Sequence, residues 1–487
     1  MHIYNVIEKY KKASVTFKAT VWFTMCNALQ KLSAFLIIPI LTRLLTTSDY
    51  GFYSVYLSWV DIIEILATMR IYSNGYVAGL IKNDNDQDRY TFSVQLVSIV
   101  VILVNFLIFL CFSNHISTWI QIEKKLIYYM FFSFISTSSI GIWSSRQRVN
   151  NKYKLMVIVT LLYSVLAPFA SIVIAYKSGN RVEAVIIARV ITQFLISLPF
   201  LIINISGIKK GIVVKYCKET LTYNFPLIPY YLSMVVLNSS DRIMIKNIVG
   251  EAEAGIYSVA YSLSMAMFVF VGALNLSLQP WFFNKLKKSS PNGAAKTISL
   301  SACIVAILNM GVLIISPELI KFVASEKYAA AIWTMPPIIY SLLIMFIYQQ
   351  FLNINFYYGK NGIIFVASVT SAIINIILNS ILINIYGYIA AGYTTLVSYL
   401  VIAIMYYISV RIVSNKENVD YKDYFNIPSI LTIILCFGCL TFAIVFLYPY
   451  PYIRYGIVSI VMIVIVLFHK KILYLIKDES LISERRI

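Results

Sequence analysis

Fourteen separate stretches of this chain are long and apolar enough to cross a membrane as helices. A spanning helix needs about 20 predominantly apolar residues. Stretches of that kind occur at approximately 19–42, 53–78, 91–113, 126–145, 155–176, 184–206, 224–246, 256–283, 297–317, 332–354, 363–385, 388–410, 427–448 and 452–475. Charged residues make up 13% of the sequence, against about 25% in soluble domains. We therefore predict an all-α polytopic membrane protein with about 14 transmembrane helices.

The lysines and arginines predict the orientation of these helices. If the N-terminus is cytoplasmic, the loops and termini on the inside carry 27 of the 40 basic residues and the outside loops carry 10. Basic residues favour the cytoplasmic side of a bacterial membrane. The bias therefore places both termini in the cytoplasm, and it explains the net charge of +19 without any nucleic acid.

A repeated heptapeptide predicts an internal duplication. Residues 49–55 (DYGFYSV) return 204 positions later as residues 253–259 (EAGIYSV), with an acid first, glycine third and Tyr-Ser-Val last. Two more correspondences follow at an offset of 208, Lys152 with Lys360 and Gly179 with Gly387. Helices 1–6 would thus map onto helices 7–12 in the same orientation, as in transporters built from parallel repeats.

The repeat divides the chain into four parts. Residues 1–206 would form an N-terminal six-helix bundle and residues 224–411 a C-terminal one. Residues 207–223 hold four lysines and are predicted to be a cytoplasmic amphipathic linker. Residues 412–487 would add two transmembrane helices and a cytoplasmic tail.

Charged residues inside the spans are the candidate binding residues, because each costs about 2.5–3.5 kcal/mol at a helix centre. Lys31, Arg70 and Arg189 are candidates for binding an anion, and a guanidinium suits a phosphate group best. Asp61 and Glu64 share a face of helix 2 and are candidates for proton or cation coupling. The alternatives remain open: Lys31 or Arg70 could form salt bridges with these two acids, and Arg70 and Arg189 could extend to the membrane interface.

Four further residues are predicted to have structural or gating roles. Asp241 and Arg242 are adjacent on helix 7 and point about 100° apart, so each should bond to other helices. Gly51 and Gly255, at the third position of the repeated heptapeptide, are predicted to occupy tight turns that need a positive φ. We interpret these turns as outer hinge points of the two bundles.

The order of several short motifs resembles a known family. Residues 39–45 (PILTRLL) and 49–53 (DYGFY) in the first half, followed by Asp241-Arg242, residues 255–258 (GIYS) and residues 279–281 (QPW), are similar to bacterial polysaccharide (O-antigen) flippases. Those proteins belong to the MATE-like multidrug/oligosaccharidyl-lipid/polysaccharide superfamily. The resemblance covers nearly the whole chain, including the count of six, six and two helices.

The resemblance implies a flippase that moves undecaprenyl-pyrophosphate-linked oligosaccharide, such as an O-antigen repeat unit of lipopolysaccharide, from the cytoplasmic to the outer leaflet of the inner membrane. It implies no cofactor and no metal, and as partners membrane lipid, a glycan polymerase and other polysaccharide-assembly proteins. The alternatives are a MATE-like cation-coupled multidrug antiporter and a membrane-embedded glycan polymerase or ligase. We expect no catalytic residues, because the sequence has no P-loop, no H-E-x-x-H and only three histidines.

Overall fold

Long helices make up the fold of this multi-pass membrane protein. The computed structural model describes residues 15–207, 211–417, 420–457 and 459. Within that part of the chain the α-helices are α1 Val15–Leu44, α2 Thr47–Thr68, α3 Asn74–Lys82, α4 Gln87–Cys111, α5 Ser113–Ile120, α6 Lys124–Val149, α7 Tyr153–Lys177, α8 Arg181–Ile205, α9 Val214–Asn224, α10 Ile228–Ile248, α11 Glu251–Ser264, α12 Ala266–Lys287, α13 Ala294–Val323, α14 Met335–Tyr357, α15 Asn361–Tyr386, α16 Ala390–Glu417 and α17 Ile427–Phe446.

The observed helices confirm the predicted fold class. Nine helical stretches within the described ranges are long and apolar enough to cross a membrane, and one of them, 362–417, contains both α15 and α16. The helices α1, α2 and α10 have 30, 22 and 21 residues and lie at predicted spans. The predicted span 256–283 is divided between α11 and α12. Most of the fourteenth predicted span, 452–475, lies outside the described residues.

One predicted span is shorter than its sequence indicates. The span 53–78 was expected to be continuous, but α2 ends at Thr68, where Met69 takes a left-handed conformation and its N–H bonds to the Ile65 carbonyl. The chain turns through residues 69–73 and resumes as α3 at Asn74. Arg70, predicted to lie within a continuous helix 2, therefore lies in the turn between α2 and α3.

The two copies of the heptapeptide lie in the first turns of α2 and α11. Asp49 forms a capping box with Thr46, because each side chain accepts a hydrogen bond from the other residue's backbone N–H. Glu253 of the second copy and the preceding Glu251 occupy the first turn of α11, where a negative charge offsets the helix dipole. The shared acid is thus a helix-start signal.

Gly51 and Gly255 bring the backbones of α2 and α11 into direct contact. A Cβ atom on Gly51 would lie 1.7 Å from the carbonyl oxygen of Glu251, and one on Gly255 would lie 2.3 Å from that of Thr47. Neither glycine is among the described residues with positive φ, so the prediction of tight turns is wrong. Only glycine lets two helices approach this closely, and we call this pair the glycine contact.

The other helix contacts place α2 and α14 in the interior. α2 packs against α10 and α11, and α14 against α12, α13 and α16. In the first half α8 packs against α6 and α7, and in the second half α15 packs against α10 and α16. The division into two six-helix bundles remains a prediction, as does the amphipathic role of the linker, of which α9 forms the larger part.

The first of the two predicted appended helices packs on the second half. α17 contacts α13 and α14, and the helical residues 451–457 follow it. Arg454 bonds Glu318 of α13 through both terminal nitrogens, at 3.0 and 2.5 Å. Such a bidentate pair is both strong and directional, so it fixes the start of the last predicted helix against α13.

Candidate functional site

A cavity of about 810 Å³ lies among helices of both halves. Its walls come from α1, α2, α7 and α8 on one side and from α10, α11, α12, α14 and α16 on the other. Its polar lining consists of two arginines, four amides, three serines and six tyrosines: Arg189, Arg242, Gln30, Gln193, Asn238, Gln349, Ser33, Ser164, Ser262, Tyr50, Tyr53, Tyr163, Tyr261, Tyr348 and Tyr399. We call it the central cavity.

Arg189 and Arg242 reach the central cavity from opposite halves of the chain. Arg189 lies on α8 and donates a hydrogen bond from Nη1 to the Tyr53 hydroxyl at 2.7 Å. The Arg242 guanidinium on α10 lies 4.4 Å from the centre of the Tyr261 ring. Within the described residues neither arginine forms a salt bridge. Two cations thus face one cavity with most of their donors unused.

Amide and phenol groups hold the wall beside Arg242 in a fixed arrangement. The Asn238 side-chain oxygen accepts hydrogen bonds from the hydroxyls of Tyr261 and Tyr399, both at 3.2 Å. The Asn238 amide nitrogen donates to the backbone of its own helix at 2.6 Å. Because three helices meet at this amide, the rings around Arg242 are preorganised.

A smaller cavity of about 250 Å³ adjoins the central one and contains the predicted coupling acids. The two cavities share Arg189, Gln193 and three other residues, and the smaller one extends to Asp61 and Glu64. Asp61 is exposed to this cavity, and the Ser239 hydroxyl donates to it at 3.4 Å. No lysine or arginine among the described residues forms a salt bridge with Asp61.

Glu64 is paired with Arg70. The Arg70 Nε atom lies 3.6 Å from the Glu64 carboxylate, and the Tyr72 hydroxyl donates to the same carboxylate at 2.5 Å. Arg70 also lies 5.6 Å from the centre of the Tyr231 ring, and it lines neither cavity. The structure thus realises the salt-bridge alternative for this pair.

The candidate residues are therefore divided. Arg189, Asp61 and Glu64 come together around the two connected cavities, whereas Arg70 lies apart. Lys31 is on α1, but its side chain lies outside the described residues. The anion-binding and ion-coupling roles of all five stay predictions.

Asp241 and Arg242 point in different directions, as adjacent helical residues must. Asp241 is 1% exposed and accepts hydrogen bonds from Tyr257 on α11 at 2.6 Å, Asn379 on α15 at 2.6 Å and Thr395 on α16 at 2.9 Å. These bonds connect four helices. Asp241 is thus placed for the structural role predicted for it, and Arg242 faces the central cavity instead.

Replacing Asp241 with asparagine is expected to destabilise the protein. The new amide would point donors at a hydroxyl or amide that now donates to the carboxylate, and a buried unsatisfied group costs about 1–3 kcal/mol. The thermal unfolding midpoint of the detergent-purified protein should fall by several degrees. The control is Asp423→Asn, at an exposed position. Equal midpoints for the two variants would contradict the structural role.

The sequence profile of a family described as "Polysaccharide biosynthesis protein" matches residues 40–333. That match spans more than half of the chain. The chain belongs to this family. The matched region contains the glycine contact, the acids of the smaller cavity and both arginines of the central cavity.

Further relatives and structures agree with the family. Protein 1 of the Lsg locus of Haemophilus influenzae is 23% identical over 375 residues, which cover 74% of this chain and 89% of that protein. The lipid II flippase MurJ in an inward closed conformation superposes with a TM-score of 0.68 at 14% identity, covering 93% of this chain and 100% of MurJ. An inward-facing multidrug resistance MATE transporter of the MOP superfamily gives 0.62 at 13% identity, covering 80% and 96%. These structural similarities show a MurJ/MATE-like fold.

Two features of the site were not predicted from the sequence. Arg242 was assigned to a gate, although in this family member it lines the central cavity. The tyrosines were not singled out at all, although the chain has 37 of them. Tyrosines at one helical face in several spans were the available signal, because the tyrosine hydroxyl prefers a polar or wet surrounding.

Proposed function

We propose that this protein is a flippase for lipid-linked oligosaccharide, carrying undecaprenyl-pyrophosphate-linked repeat units from the cytoplasmic to the outer leaflet of the inner membrane. The family assignment supports a role in polysaccharide biosynthesis. The MurJ/MATE-like fold supports movement of a cargo across the membrane. The inner-membrane location rests on the resemblance to polysaccharide flippases, and the cytoplasmic termini rest on the distribution of lysine and arginine.

The observation that carries the proposal is the pair of arginines in the central cavity. A charged residue at membrane depth needs a counter-charge or water, and neither Arg189 nor Arg242 has a carboxylate within 4 Å among the described residues. Two guanidiniums from opposite halves offer forked donors that match phosphate oxygens. A diphosphate bridging both halves would therefore bind in the central cavity.

The remaining lining suits a glycan. Tyrosine rings pack against the faces of sugars, and hydroxyl and amide groups bond to sugar hydroxyls. The volume of about 810 Å³ lies within the range of small-molecule sites, about 300–1,000 Å³. Such a cavity holds a diphosphate and a short glycan, so the long lipid chain would remain outside among the membrane lipids.

The glycine contact provides an outer seal in this proposal. It lies at the ends of α2 and α11 that the topology prediction places outward, and Ser48 adds a hydrogen bond to Glu251 at 2.9 Å. Opening this seal would release cargo outward by alternating access. On the outer side the cargo would then pass to a glycan polymerase and other polysaccharide-assembly proteins.

The direct test is to delete the protein and analyse the lipid-linked sugars of the cells. The proposal expects an undecaprenyl-pyrophosphate-linked oligosaccharide to accumulate on the cytoplasmic face while surface glycan falls. The sugar composition of that intermediate would identify the cargo. Unchanged levels of lipid-linked sugar together with normal surface glycan would contradict the proposal.

A second candidate function is cation-coupled multidrug antiport, favoured by Asp61 because this acid is exposed to a cavity without a charged partner. The arginines argue against it, because they repel organic cations. We expect cells lacking the protein to be as sensitive to cationic drugs as wild-type cells. Minimum inhibitory concentrations measure this, and a several-fold loss of resistance restored by the wild-type protein but not by Asp61→Asn would favour the antiporter.

A further inference from the structure

A separate cavity of about 740 Å³ lies between α3, α4 and α9. It shares no lining residue with the central cavity or with the smaller cavity that contains Asp61 and Glu64. Among the described residues, its lining contains three lysines, Lys82, Lys215 and Lys218, and one acid, Glu219. The lining thus has a net charge of two positive, and we call it the basic cavity.

The lysines of the basic cavity are weakly paired or unpaired with acids among the described residues. Lys82 lies 3.5 Å from the Glu219 carboxylate, and both side chains are substantially exposed. A pair of that kind contributes little, about 0–1 kcal/mol. Lys215 and Lys218 are exposed and form no salt bridge with any described residue. Their ammonium groups are therefore available to an anion.

Tyr90, which is in the lining of the basic cavity, belongs to a group of three packed aromatic rings. Tyr90 stacks on Tyr76 with ring centres 5.8 Å apart, and Tyr216 meets it edge-on at 5.3 Å. α3 approaches this stack closely, since a Cβ atom on Gly79 would lie 1.9 Å from the Tyr90 hydroxyl oxygen. α3 and α4 are therefore tightly packed at this side of the cavity.

Thr220 of α9 is in the lining of the basic cavity, but its hydroxyl oxygen is itself covered and lies beside the Tyr90 hydroxyl. This residue therefore helps to pack α9 against α4. The donors that the basic cavity offers to an anion are the ammonium groups of Lys82, Lys215 and Lys218.

The place of the cavity indicates the source of the anion. α9 and the start of α4 lie on the side that the lysine distribution assigns to the cytoplasm, at the ends of the spanning helices. Basic pockets at this level bind the headgroups of anionic lipids, and each lysine near such a surface contributes about 1 kcal/mol. We propose that the basic cavity binds the phosphate of an anionic phospholipid, which holds α9 against the membrane. This site is independent of the cargo.

The test compares two double variants of the full-length protein in detergent. Lys215→Gln/Lys218→Gln removes two charges from the cavity. Lys287→Gln/Lys288→Gln is the matched control, because these lysines are exposed on the same predicted face and line none of the three cavities. Native mass spectrometry measures retention of added phosphatidylglycerol against phosphatidylcholine, and size-exclusion chromatography checks the fold of each variant.

The expected result is preferential retention of phosphatidylglycerol by the wild type and the control, with affinity lower by about tenfold or more in Lys215→Gln/Lys218→Gln. Equal retention of both lipids by the wild type, or equal loss in both variants, would overturn the proposal. Inorganic phosphate forms a second arm. If phosphate alone displaces the lipid from the wild type, the phosphate site stands and its ligand is the soluble ion. None of these results depends on whether the protein moves oligosaccharide.

Discussion

Replacing Arg189 and Arg242 together with glutamine is expected to abolish glycan export while the protein still accumulates in the membrane. Hydrogen bonds to charged groups contribute about 1.5–3 kcal/mol each, so each substitution should weaken binding of a diphosphate roughly 10–150-fold. Surface glycan and cytoplasmic lipid-linked intermediate, measured in the same cells, report the effect. Glutamine keeps the length and polarity of the side chain, so loss of charge is the main change.

Two further variants make this prediction specific. Arg411→Gln changes an exposed arginine that lines neither the central cavity nor the smaller cavity. We expect this variant to export glycan normally. Arg189→Lys/Arg242→Lys keeps both positive charges but removes the paired N–H donors of the guanidinium groups. Glycan export should therefore be reduced less than in the double glutamine variant. Full glycan export by the double glutamine variant would contradict the proposal that these two arginines bind the cargo.

Adding one methyl group at the glycine contact is expected to stop the transport cycle. A Cβ on Gly51 would lie 1.7 Å from a backbone oxygen, which a side-chain movement cannot relieve. Overpacking costs about 1–3 kcal/mol, so the sealed state of Gly51→Ala should lose roughly 5–150-fold in population. Gly255→Ala should act in the same way, because the second copy of the repeat makes the other half of the contact.

The state of the seal can be measured separately from transport. Ser262→Cys places a thiol in the central cavity of a chain whose six native cysteines are replaced. A membrane-impermeant maleimide added from outside should label this thiol faster when Gly51→Ala is present. Gly311→Ala is the control, since a Cβ there would meet nothing within 4 Å. Equal labelling and normal export in Gly51→Ala would show that the contact is not a seal.

Hydropathy predicted most of the fold because every spanning helix must satisfy its backbone within an apolar segment. The break after Thr68 was missed because the residues that follow it, Ile71 and Tyr72 among them, keep the segment apolar. What ends α2 is the left-handed conformation of Met69, and the available signal was the turn-type tripeptide Ser73-Asn74-Gly75 a few residues later. The glycine contact was missed for a related reason. A glycine needed for a positive φ and one needed for close helix approach look the same in a single sequence.

The candidate site was predictable only in part. Arg189, Asp61 and Glu64 were found because charged residues within apolar segments are conspicuous. Which of them pair depends on the packing of helices distant in sequence, and Arg70 was assigned to the cavity before its pairing with Glu64 was known. Arg242 was misassigned because its neighbour Asp241 suggested one joint role, whereas the helix directs the two side chains to different surroundings.

The most direct test of the central claim is translocation by the purified protein in liposomes. A fluorescent undecaprenyl-pyrophosphate-linked oligosaccharide is placed in both leaflets, and the fraction that becomes accessible to an enzyme added outside is followed over time. The account predicts translocation by the wild type and a rate close to that of protein-free liposomes for Arg189→Gln/Arg242→Gln. A wild-type rate no higher than that of protein-free liposomes, or a double variant as fast as the wild type, would contradict it.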